Sequence, residues 1–599
     1  MTSNQAAGPS ALHGFGGGAR RPRLLLAVAA LAVMLAAADT YVVVLALPDM
    51  MAGAGLGIES LQRGTPIVSG FLLGYIAVLP LIGRLADMVP RQRILVVCLL
   101  IFAVGSAVTA VAVELPVMVG GRFLQGVGGG GLVPATLALV ADLWPPGKRG
   151  VPLGIVGGVQ ELGAVMGPLL GAAVLLVSSW RGIFWLNVAL GLLFCLGVLA
   201  VGSAGGRGVR MAPQRSGEST SPGSRPSSPW VRIGTVLVAA LVVAGVILSV
   251  LTLTPPESLV TSVAYGEPFV PFVDGSSSRV ATPVGLAAGA VWLVVIVVTA
   301  PAWMPPLIRA DLLGATLIAM VLGSVVLTFS TADPEVEVLG PWGLWLVPVG
   351  IVALLAFAIR QRTAAVPLIG SEVVQRRVWP ALVVSVLVGA AIVAIVVDVP
   401  LLARLDGEST QTQAAFVLVR FLVTVPVGAV LGGVLLRWAA PGLVAAGGLA
   451  LATGGLTVMA SWTVSSLSEG LATTLTLAGV GLGVGLAIAP VNDAALADAP
   501  DYAHGTVSSL VVVARMVGMV VGLALLTAIG LRRFYEAVAL LPDPSDEQAL
   551  LAAGVVQVQT VFTGAALAAG LATVVALGLG VRARRAATPA PSVSVTLPG

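Results

Sequence analysis

The stretch GRLADMVPRQR, Gly83–Arg93, determines the architecture because it is a short charged junction between two long apolar segments. The flanking segments, at about 66–85 and 94–113, are each long enough to cross the ~30 Å hydrocarbon core of a bilayer as a helix. The junction itself carries one carboxylate and three arginines, which belong in water or among lipid headgroups. The stretch therefore predicts a helical hairpin in a membrane, with its charged turn at one membrane face.

The whole chain has the composition of this hairpin. Of its 599 residues, 57% are hydrophobic and only 10% are charged, and the mean hydropathy is +1.04. A soluble domain is about a quarter charged, so the composition predicts an all-α membrane protein with many spans and no affinity for nucleic acid. The two cysteines lie within apolar runs, and the two histidines are far apart. Neither a disulfide framework nor a metal site is expected.

The N-terminus has some features of a signal peptide. The basic ARRPR is followed by LLLAVAALAVMLAAA, which ends in small residues. The apolar run continues, however, through TYVVVLAL for roughly 24 residues, which is enough to span a bilayer. We therefore predict an uncleaved first span, with the carboxylate of Asp39 inside it.

Sixteen apolar runs have the length of a span, and we expect 14–16 spans. They are near 24–47, 66–85, 94–113, 116–142, 151–178, 183–204, 233–253, 284–303, 311–330, 342–359, 378–402, 413–436, 442–463, 471–496, 506–530 and 561–581. Polar segments divide them into units, predicted as a tail (1–23), a six-helix bundle (24–204), a basic linker (205–232), extra spans (233–360) with an outer loop (254–283), a second linker (361–377), a second six-helix bundle (378–581) with an outer extension (531–560), and a tail (582–599).

Positive charges orient this layout. With both termini in the cytoplasm, 22 of the 31 lysines and arginines fall on inner segments, 6 on outer loops and 3 within spans. Cytoplasmic loops carry such an excess of positive charge, so we predict a multi-pass protein of the cell membrane with both termini cytoplasmic. The outer loop 254–283 could form a short hairpin or an irregular loop, and 531–560 reads as two helical stretches around a Pro-Asp-Pro turn.

Three motifs resemble the major facilitator superfamily. The junction matches that family's loop motif at Gly83, Leu85, Ala86, Asp87 and Arg91, with Arg93 in its basic tail, while Met88 and Pro90 depart from it. Span 4 matches a second pattern at Arg122, Gln125 and Gly126. Span 5 matches the antiporter motif at Gly154, Gly163, Gly167, Pro168 and Gly171. The resemblance implies two six-helix bundles, here with extra central helices, and favours the drug:proton antiporter branch.

A closer resemblance links the chain to mycobacterial exporters of this superfamily that work with a lipid-binding lipoprotein. It rests on ADTYVVV, LLGYIAVLPLIGRLAD, VQELGAVMGPLLG, VVDVPLLARLDG and HGTVSSLVVVARMVGMVVG. It implies export of lipid, triacylglycerol in particular, and of drugs, a periplasmic lipoprotein partner, and long outer ends on the last two helices. The insert near 233–303 departs from this pattern.

Charges within spans are costly unless they are paired or hydrated, so they are the best candidates for function. They are Asp39, Arg122, Glu161, Asp398, Arg420 and Arg515. Counting along the helices places Glu161 and Arg515 at one depth, where they could pair across the two halves. Asp39 reaches the depth of Arg122 and Arg420. We predict proton coupling at Asp39 and Glu161, with the arginines and Asp398 in intramembrane ion pairs; static pairs are the alternative.

The motifs have physical roles in the same scheme. A carboxylate at Asp87 could face a helix N-terminus and pair with Arg91, which would gate the inner side. The glycines of span 5 allow close packing, and Pro168 removes a helical hydrogen bond. Neither GVGGGG nor GLGVG is followed by the Lys-Ser/Thr of a phosphate loop, so we expect a proton gradient, with no bound cofactor and no metal, to drive the protein.

These observations predict a secondary transporter and not an enzyme, exporting apolar or amphiphilic substrates and acting as a monomer. Four alternatives remain: a multidrug pump with no lipid role, an uncoupled lipid flippase, a nutrient importer on the same fold, and a membrane-embedded transferase. The transferase would need convergent histidines, aspartates or metal ligands at one membrane face, which two distant histidines do not supply.

Overall fold

The computed structural model is almost entirely helical over the residues that it describes. Those residues are 20–55, 61–203, 229–254, 263–264, 267–268, 280, 282–330, 343–370, 372–405, 411–468, 470–542 and 546–581. Fifteen of the described helices are long and apolar enough to cross a membrane, and a sixteenth, Leu312–Thr328, is a shorter apolar helix. The predicted fold class and span count are confirmed. Both terminal tails beyond these limits, and most of the basic linker, lie outside the described residues.

The N-terminal half is a bundle of six helices. They are α1 (Arg20–Gly53), α2 (Leu61–Met88), α3 (Arg91–Val111), α4 (Leu115–Leu143), α5 (Gly150–Val177) and α6 (Trp180–Ser203). Helix α4 packs against both α2 and α3, and α1 packs against α5 and α6. We call the membrane face at which α2 ends and α3 begins the motif face, because it holds residues 83–93. The other face is called the opposite face.

Four extra helices follow in the middle of the chain. They are α7 (Pro229–Leu253), α8 (Pro283–Arg309), α9 (Leu312–Ser330) and α10 (Gly343–Thr363). Two-residue strands, β1 (Val263–Ala264) and β2 (Glu267–Pro268), pair antiparallel between α7 and α8. The hairpin alternative is thus confirmed for these four residues, and most of the remainder of 254–283 lies outside the described residues. Helix α9 packs against α2 and α16, whereas α7 packs mainly on α8.

The C-terminal half contains the remaining helices. They are α11 (Val378–Arg404), α12 (Gln411–Leu422), α13 (Thr424–Leu435), α14 (Pro441–Met459), α15 (Gly470–Asp498), α16 (His504–Val538) and α17 (Glu547–Ala576). The span predicted near 413–436 is confirmed as a single candidate crossing, Val417–Leu435, which α12 and α13 form together, although the helix is interrupted at Val423. Pro426 explains the interruption, since it has no N–H to bond the carbonyl of residue 422 and its ring clashes there.

The two halves meet mainly near the motif face. Helix α2 packs against α16, and α5 packs against α13. A Cβ at Gly150 would lie 2.6 Å from the carbonyl oxygen of Gly433, and a Cβ at Gly154 would lie 2.5 Å from that of Ala429. Such close backbone contacts need glycine on one side. The start of α5 and the end of α13 therefore form a tight seal at the motif face.

Candidate functional site

Asp39 lies at the centre of a buried polar cluster in the N-terminal half. Its Oδ2 accepts a 2.5 Å hydrogen bond from Arg122 Nη1, and its Oδ1 accepts bonds from Gln125 Nε2 at 2.9 Å and Asn187 Nδ2 at 2.5 Å. Gln125 also donates to Ser106 Oγ. These side chains come from α1, α3, α4 and α6. Asp39 thus has the paired and hydrogen-bonded environment that an intramembrane carboxylate requires.

Arg122 is completely buried and is held from several sides. Its Nε donates to the carbonyl oxygen of Ile67 at 3.3 Å, and its guanidinium lies 4.5 Å from the centre of the Phe71 ring. Nη2 has no hydrogen-bond partner. The predicted contact between Arg122 and Asp39 is present, about 10 Å along α4 from its opposite-face end. Removal of the carboxylate would leave a cation of this kind buried without compensation.

Glu161 and Arg515 form an ion pair that joins the two halves. Arg515 Nη1 donates to Glu161 Oε1 at 2.8 Å, and both side chains are about 15% exposed. Each residue lies about 16 Å from the motif-face end of its helix, α5 or α16. The pairing predicted from equal depth is therefore present. Because both side chains retain some exposure, protons or water can reach this pair more easily than they can reach Asp39.

A small cavity of about 50 Å³ lies beside this pair, between the two halves. Most of its wall is apolar, with residues such as Val133, Leu137 and Val384. Its polar lining comes from Gln160, Ser385, Asn492 and Arg515. The wall suits an apolar or amphiphilic molecule.

Asp87 caps the start of α16 across the interface between the halves. Its Oδ1 accepts a 2.6 Å bond from the backbone N–H of Gly505, and its Oδ2 accepts from the backbone N–H and the hydroxyl of Thr506 at 2.9 and 2.7 Å. A carboxylate at a helix N-terminus satisfies orphan N–H groups and interacts favourably with the helix dipole. Gly83 also packs tightly on this helix start, where a Cβ would collide with Ser509.

The arginines of the loop motif differ in their surroundings. Arg91 lies 3.4 Å from Asp87 and 3.2 Å from Asp142, so it links the ends of α2 and α4. The Arg93 side chain is exposed at the start of α3, and no ion pair within the described residues includes it. The loop motif therefore places Gly83, Asp87 and Arg91 at the interface of the halves and Arg93 at the membrane surface.

The glycines of α5 allow this helix to pack closely against its neighbours. A Cβ at Gly163 would lie 2.5 Å from the carbonyl oxygen of Met34, and one at Gly167 would collide with the carbonyl oxygen of Ala38. Gly171 is buried, whereas Pro168 is exposed. Helix α5 thus packs on α1 next to Asp39, packs on α13 at its start, and carries Glu161 between these contacts.

Asp398 and Arg420 are not in these clusters. Asp398 is buried in α11 and its Oδ2 has no hydrogen-bond partner, while Arg420 is half-buried near the end of α12 with Nη1 unbonded. The ion pairs of the described residues include neither side chain. Arg420 was a candidate partner of Asp39, and the structure corrects this. Asp39 and Arg420 lie at similar depth but in different halves, and Asp39 is enclosed by α3, α4 and α6.

Sequence reasoning missed several polar groups of the site. Asn187 is a polar residue in the apolar run FWLNVAL, and that signal could have identified it, although it carries no charge. The two N–H donors to Asp87 belong to the backbone and leave no signature in side-chain chemistry. Within the described residues, no group of three His, Cys, Asp or Glu side chains could hold a metal ion.

Comparison with known proteins identifies the architecture. A model of the Major Facilitator Superfamily matches residues 29–364, which is more than half of the chain. The chain belongs to the major facilitator superfamily. Members of this superfamily are transporters, so the prediction of a transporter and not an enzyme is confirmed.

Several superfamily relatives share about a third of the sequence over most of its length. The triacylglyceride transporter of Mycobacteroides abscessus is 33% identical over 86% of this chain and 84% of its own. The triacylglyceride transporter of Mycolicibacterium hassiacum is 34% identical over 88% of this chain and 84% of its own. The triacylglyceride transporter of Mycobacterium tuberculosis is 34% identical over 86% and 84%, respectively. The predicted resemblance to mycobacterial lipid transporters is therefore confirmed.

Solved structures of distant superfamily members have the same fold. The human organic anion transporter MFSD10 superposes with a TM-score of 0.50 at 14% identity, over 93% of this chain and 99% of its own. A double-tryptophan mutant of XylE superposes with a TM-score of 0.50 at 12% identity, over 92% and 94%. At these identities the comparison concerns the fold alone.

Proposed function

We propose that this protein is a proton-coupled exporter that moves triacylglycerol-like lipids across the cell membrane by alternating access. The observation that carries the proposal is the Glu161–Arg515 pair, which joins the two halves beside a mostly apolar cavity. The names of the mycobacterial relatives support lipid as the substrate. Repeats that flank a midplane site are the usual plan of secondary transporters.

Protonation would act on the contacts between the halves. A proton on Glu161 removes the negative charge that faces Arg515, which weakens the pair and favours separation of α5 from α16. Asp39 is the second proton site in this scheme, with Arg122, Gln125 and Asn187 stabilising its charged form. Asp87 on the N-terminus of α16 holds the motif face closed until the halves move.

The charge distribution and the relatives support an orientation in the membrane and a partner for the transporter. The bias of 22 inner against 6 outer positive charges supports a cytoplasmic location for the motif face and both termini. A periplasmic lipid-binding lipoprotein would receive the exported lipid, and the transporter would work as a monomer with the proton gradient in place of a cofactor. Hydrophobic drugs are further substrates because the cavity wall is mostly apolar.

Transport in inverted vesicles tests the proposal. Labelled triacylglycerol should move from the cytoplasmic to the periplasmic leaflet when a proton gradient is imposed, and a co-added lipoprotein should increase its release. An uncoupler should stop this movement. Uncoupler-resistant movement would indicate a flippase, and gradient-driven export of an amphiphilic dye without any triacylglycerol export would indicate a multidrug pump.

A further inference from the structure

A shallow groove of about 550 Å³ runs along the exposed side of α8, next to the motif face and outside the cavity between the halves. All of its lining residues belong to this one helix. They are Val297, Ala300, Pro301, Met304, Pro305 and Ile308, with Arg309 at one end. Val297 is 62% exposed and Ile308 is 64% exposed, so this side of α8 faces lipid when the helix spans a membrane.

The prolines of α8 explain how a single helix forms a groove. A straight helix has a convex surface, so a groove on it requires the helix axis to bend. Pro301, Pro305 and Pro306 lie inside α8. Each of them removes a hydrogen bond to the carbonyl oxygen four residues earlier, and its ring pushes against that turn, which bends the helix. Two of these rings, those of Pro301 and Pro305, line the groove.

The length of the groove matches one leaflet of a bilayer. Helix α8 ends at the motif face with Arg309, and Val297 lies about 18 Å from this end along the helix. Half of the ~30 Å hydrocarbon core is ~15 Å. The groove therefore extends from the headgroup level to the region of the bilayer midplane, as does the acyl chain of a lipid in that leaflet.

The headgroup end of the groove carries a cation. Arg309 is exposed in the last turn of α8, and the ion pairs of the described residues do not include it. The nearest carboxylate along the chain, Asp311, is already occupied by Arg360 Nη2 at 3.0 Å and by the backbone N–H of Leu368 at 3.2 Å. Arg309 is thus available to an anion from outside the protein. A guanidinium can bind a phosphate group through two parallel hydrogen bonds.

We propose that this groove binds an anionic phospholipid of the leaflet at the motif face. The phosphate contacts Arg309, and one acyl chain lies along the groove toward Val297. A triacylglycerol offers Arg309 no negative charge, and a zwitterionic headgroup carries a cation beside its phosphate. An arginine at a membrane surface therefore favours anionic lipids. This binding does not depend on lipid export, so the inference is independent of the proposed function.

Photolabelling of the full-length protein in phosphatidylcholine proteoliposomes tests the site. The probe is a minor amount of phosphatidylglycerol with a diazirine near the end of one acyl chain. We expect it to label peptides that contain Val297 more strongly than the matching diazirine phosphatidylcholine does. Arg309→Gln removes the cation and should lower phosphatidylglycerol labelling about fivefold, which is the effect of ~1 kcal/mol in binding free energy. Phosphatidylcholine labelling should stay the same.

Matched variants separate the charge from the groove. Arg362 is also exposed in the last turn of a helix that ends at the motif face, α10, but it lies outside the groove. Arg362→Gln should therefore label as the wild type does. Ala300→Phe fills the groove and should lower labelling by both lipids. Ala302→Phe, on the exposed surface of the same helix but not in the groove, should lower neither.

Several results would contradict this site. Equal labelling by phosphatidylglycerol and phosphatidylcholine in the wild type would overturn it, as would phosphatidylglycerol labelling that Arg309→Gln leaves unchanged. Stronger labelling by a diazirine triacylglycerol would assign the groove to a neutral lipid instead. Thermal unfolding in detergent shows whether the variants are folded. If Ala300→Phe is not, the comparison of Arg309→Gln with Arg362→Gln decides, because both arginines are exposed.

Discussion

Arg515 Nη1 lies 2.8 Å from Glu161 Oε1, and this contact joins a helix of one half to a helix of the other. The same helix, α16, presents its first N–H groups to Asp87 of α2, about 14 Å nearer the motif face. One helix therefore carries both of these polar contacts between the halves. Loss of the Glu161–Arg515 pair therefore acts on α16, the helix whose N-terminus Asp87 holds.

Glu161→Gln should abolish proton-driven export. The amide keeps the size of the side chain but cannot carry or release a proton, and it leaves Arg515 without its counter-charge. We expect gradient-driven triacylglycerol export to fall at least about tenfold, since a charged hydrogen bond contributes ~1.5–3 kcal/mol. Vesicle export measures this. Glu536→Gln, in an exposed pair with Arg532 and Arg533, is the control and should export normally.

A double-mutant cycle separates coupling from structure at Asp39. Asp39→Asn leaves Arg122 buried without compensation and should cost about 3–5 kcal/mol of stability, and Arg122→Gln strands the carboxylate. The double variant buries no charge and should recover much of that stability. If Asp39 binds the transported proton, the double variant stays inactive although it is stable. Full export by the double variant would show that the pair has only a structural role.

Asp87→Asn should open the motif face. The Asp87 carboxylate accepts hydrogen bonds from the N–H groups of Gly505 and Thr506. An asparagine has only one carbonyl oxygen, so its NH₂ group would face one of these N–H donors without forming a hydrogen bond. Ser509 is fully buried there, so a Ser509→Cys probe in a background without Cys98 and Cys195 reports opening. We expect thiol alkylation at this position to be at least about tenfold faster, as the loss of a charged hydrogen bond implies.

The matched control for this experiment is Asp142→Asn. Asp142 also faces Arg91, at 3.2 Å, but its side chain is 39% exposed. Exposed pairs contribute about 0–1 kcal/mol, so alkylation of the probe should change little. Equal acceleration by both variants would mean that the loop charges act together and that the cap on α16 has no special part in closure.

The sequence predicted an ion pair correctly where two residues of equal membrane depth also lie next to each other in the structure. Glu161 and Arg515 lie at equal depth and their side chains meet between the halves, so counting residues was sufficient. Arg420 has a similar depth to Asp39, yet it lies in the other half, and depth carries no information about rotation around the bundle axis. The cost of a buried charge indicates that a partner exists, but only packing decides which one.

Other features left weaker signals in the sequence. Pro426 is visible in the apolar run 413–436, but prolines also occur inside unbroken helices here, such as Pro168 in α5 and Pro490 in α15. Asp311 was also missed. It adopts a positive φ of 60° and accepts hydrogen bonds from Gly314, Arg360 and Leu368, which ties the α8–α9 turn to the second linker. Its partners are distant in the chain, so a sequence pattern could not reveal them.

Gly163→Val should disrupt the packing of α5 against α1. A Cβ at this position would lie 2.5 Å from the carbonyl oxygen of Met34 and 2.8 Å from the Ala37 Cβ, and neither backbone nor Cβ can rotate away. We expect the free energy of unfolding to fall by about 1–3 kcal/mol, as at other overpacked sites, and export to be lost. Gly447→Ala has open space around it and should be neutral or slightly stabilising. Thermal unfolding in detergent compares the two.

Deletion of residues 229–304 should leave a working transporter. These residues comprise α7 and most of α8, which contact each other more than they contact either half. Removal of two spans preserves the direction of every later helix, because the chain leaves and returns at the motif face. Deletion of 312–363 also removes two spans, but α9 buries Leu322 and Val326 against the N-terminal core and packs on α2 and α16. We therefore expect the first deletion to export triacylglycerol with near-normal thermal stability and the second to unfold. If the first variant folds but does not export, α7 and α8 have a direct part in transport.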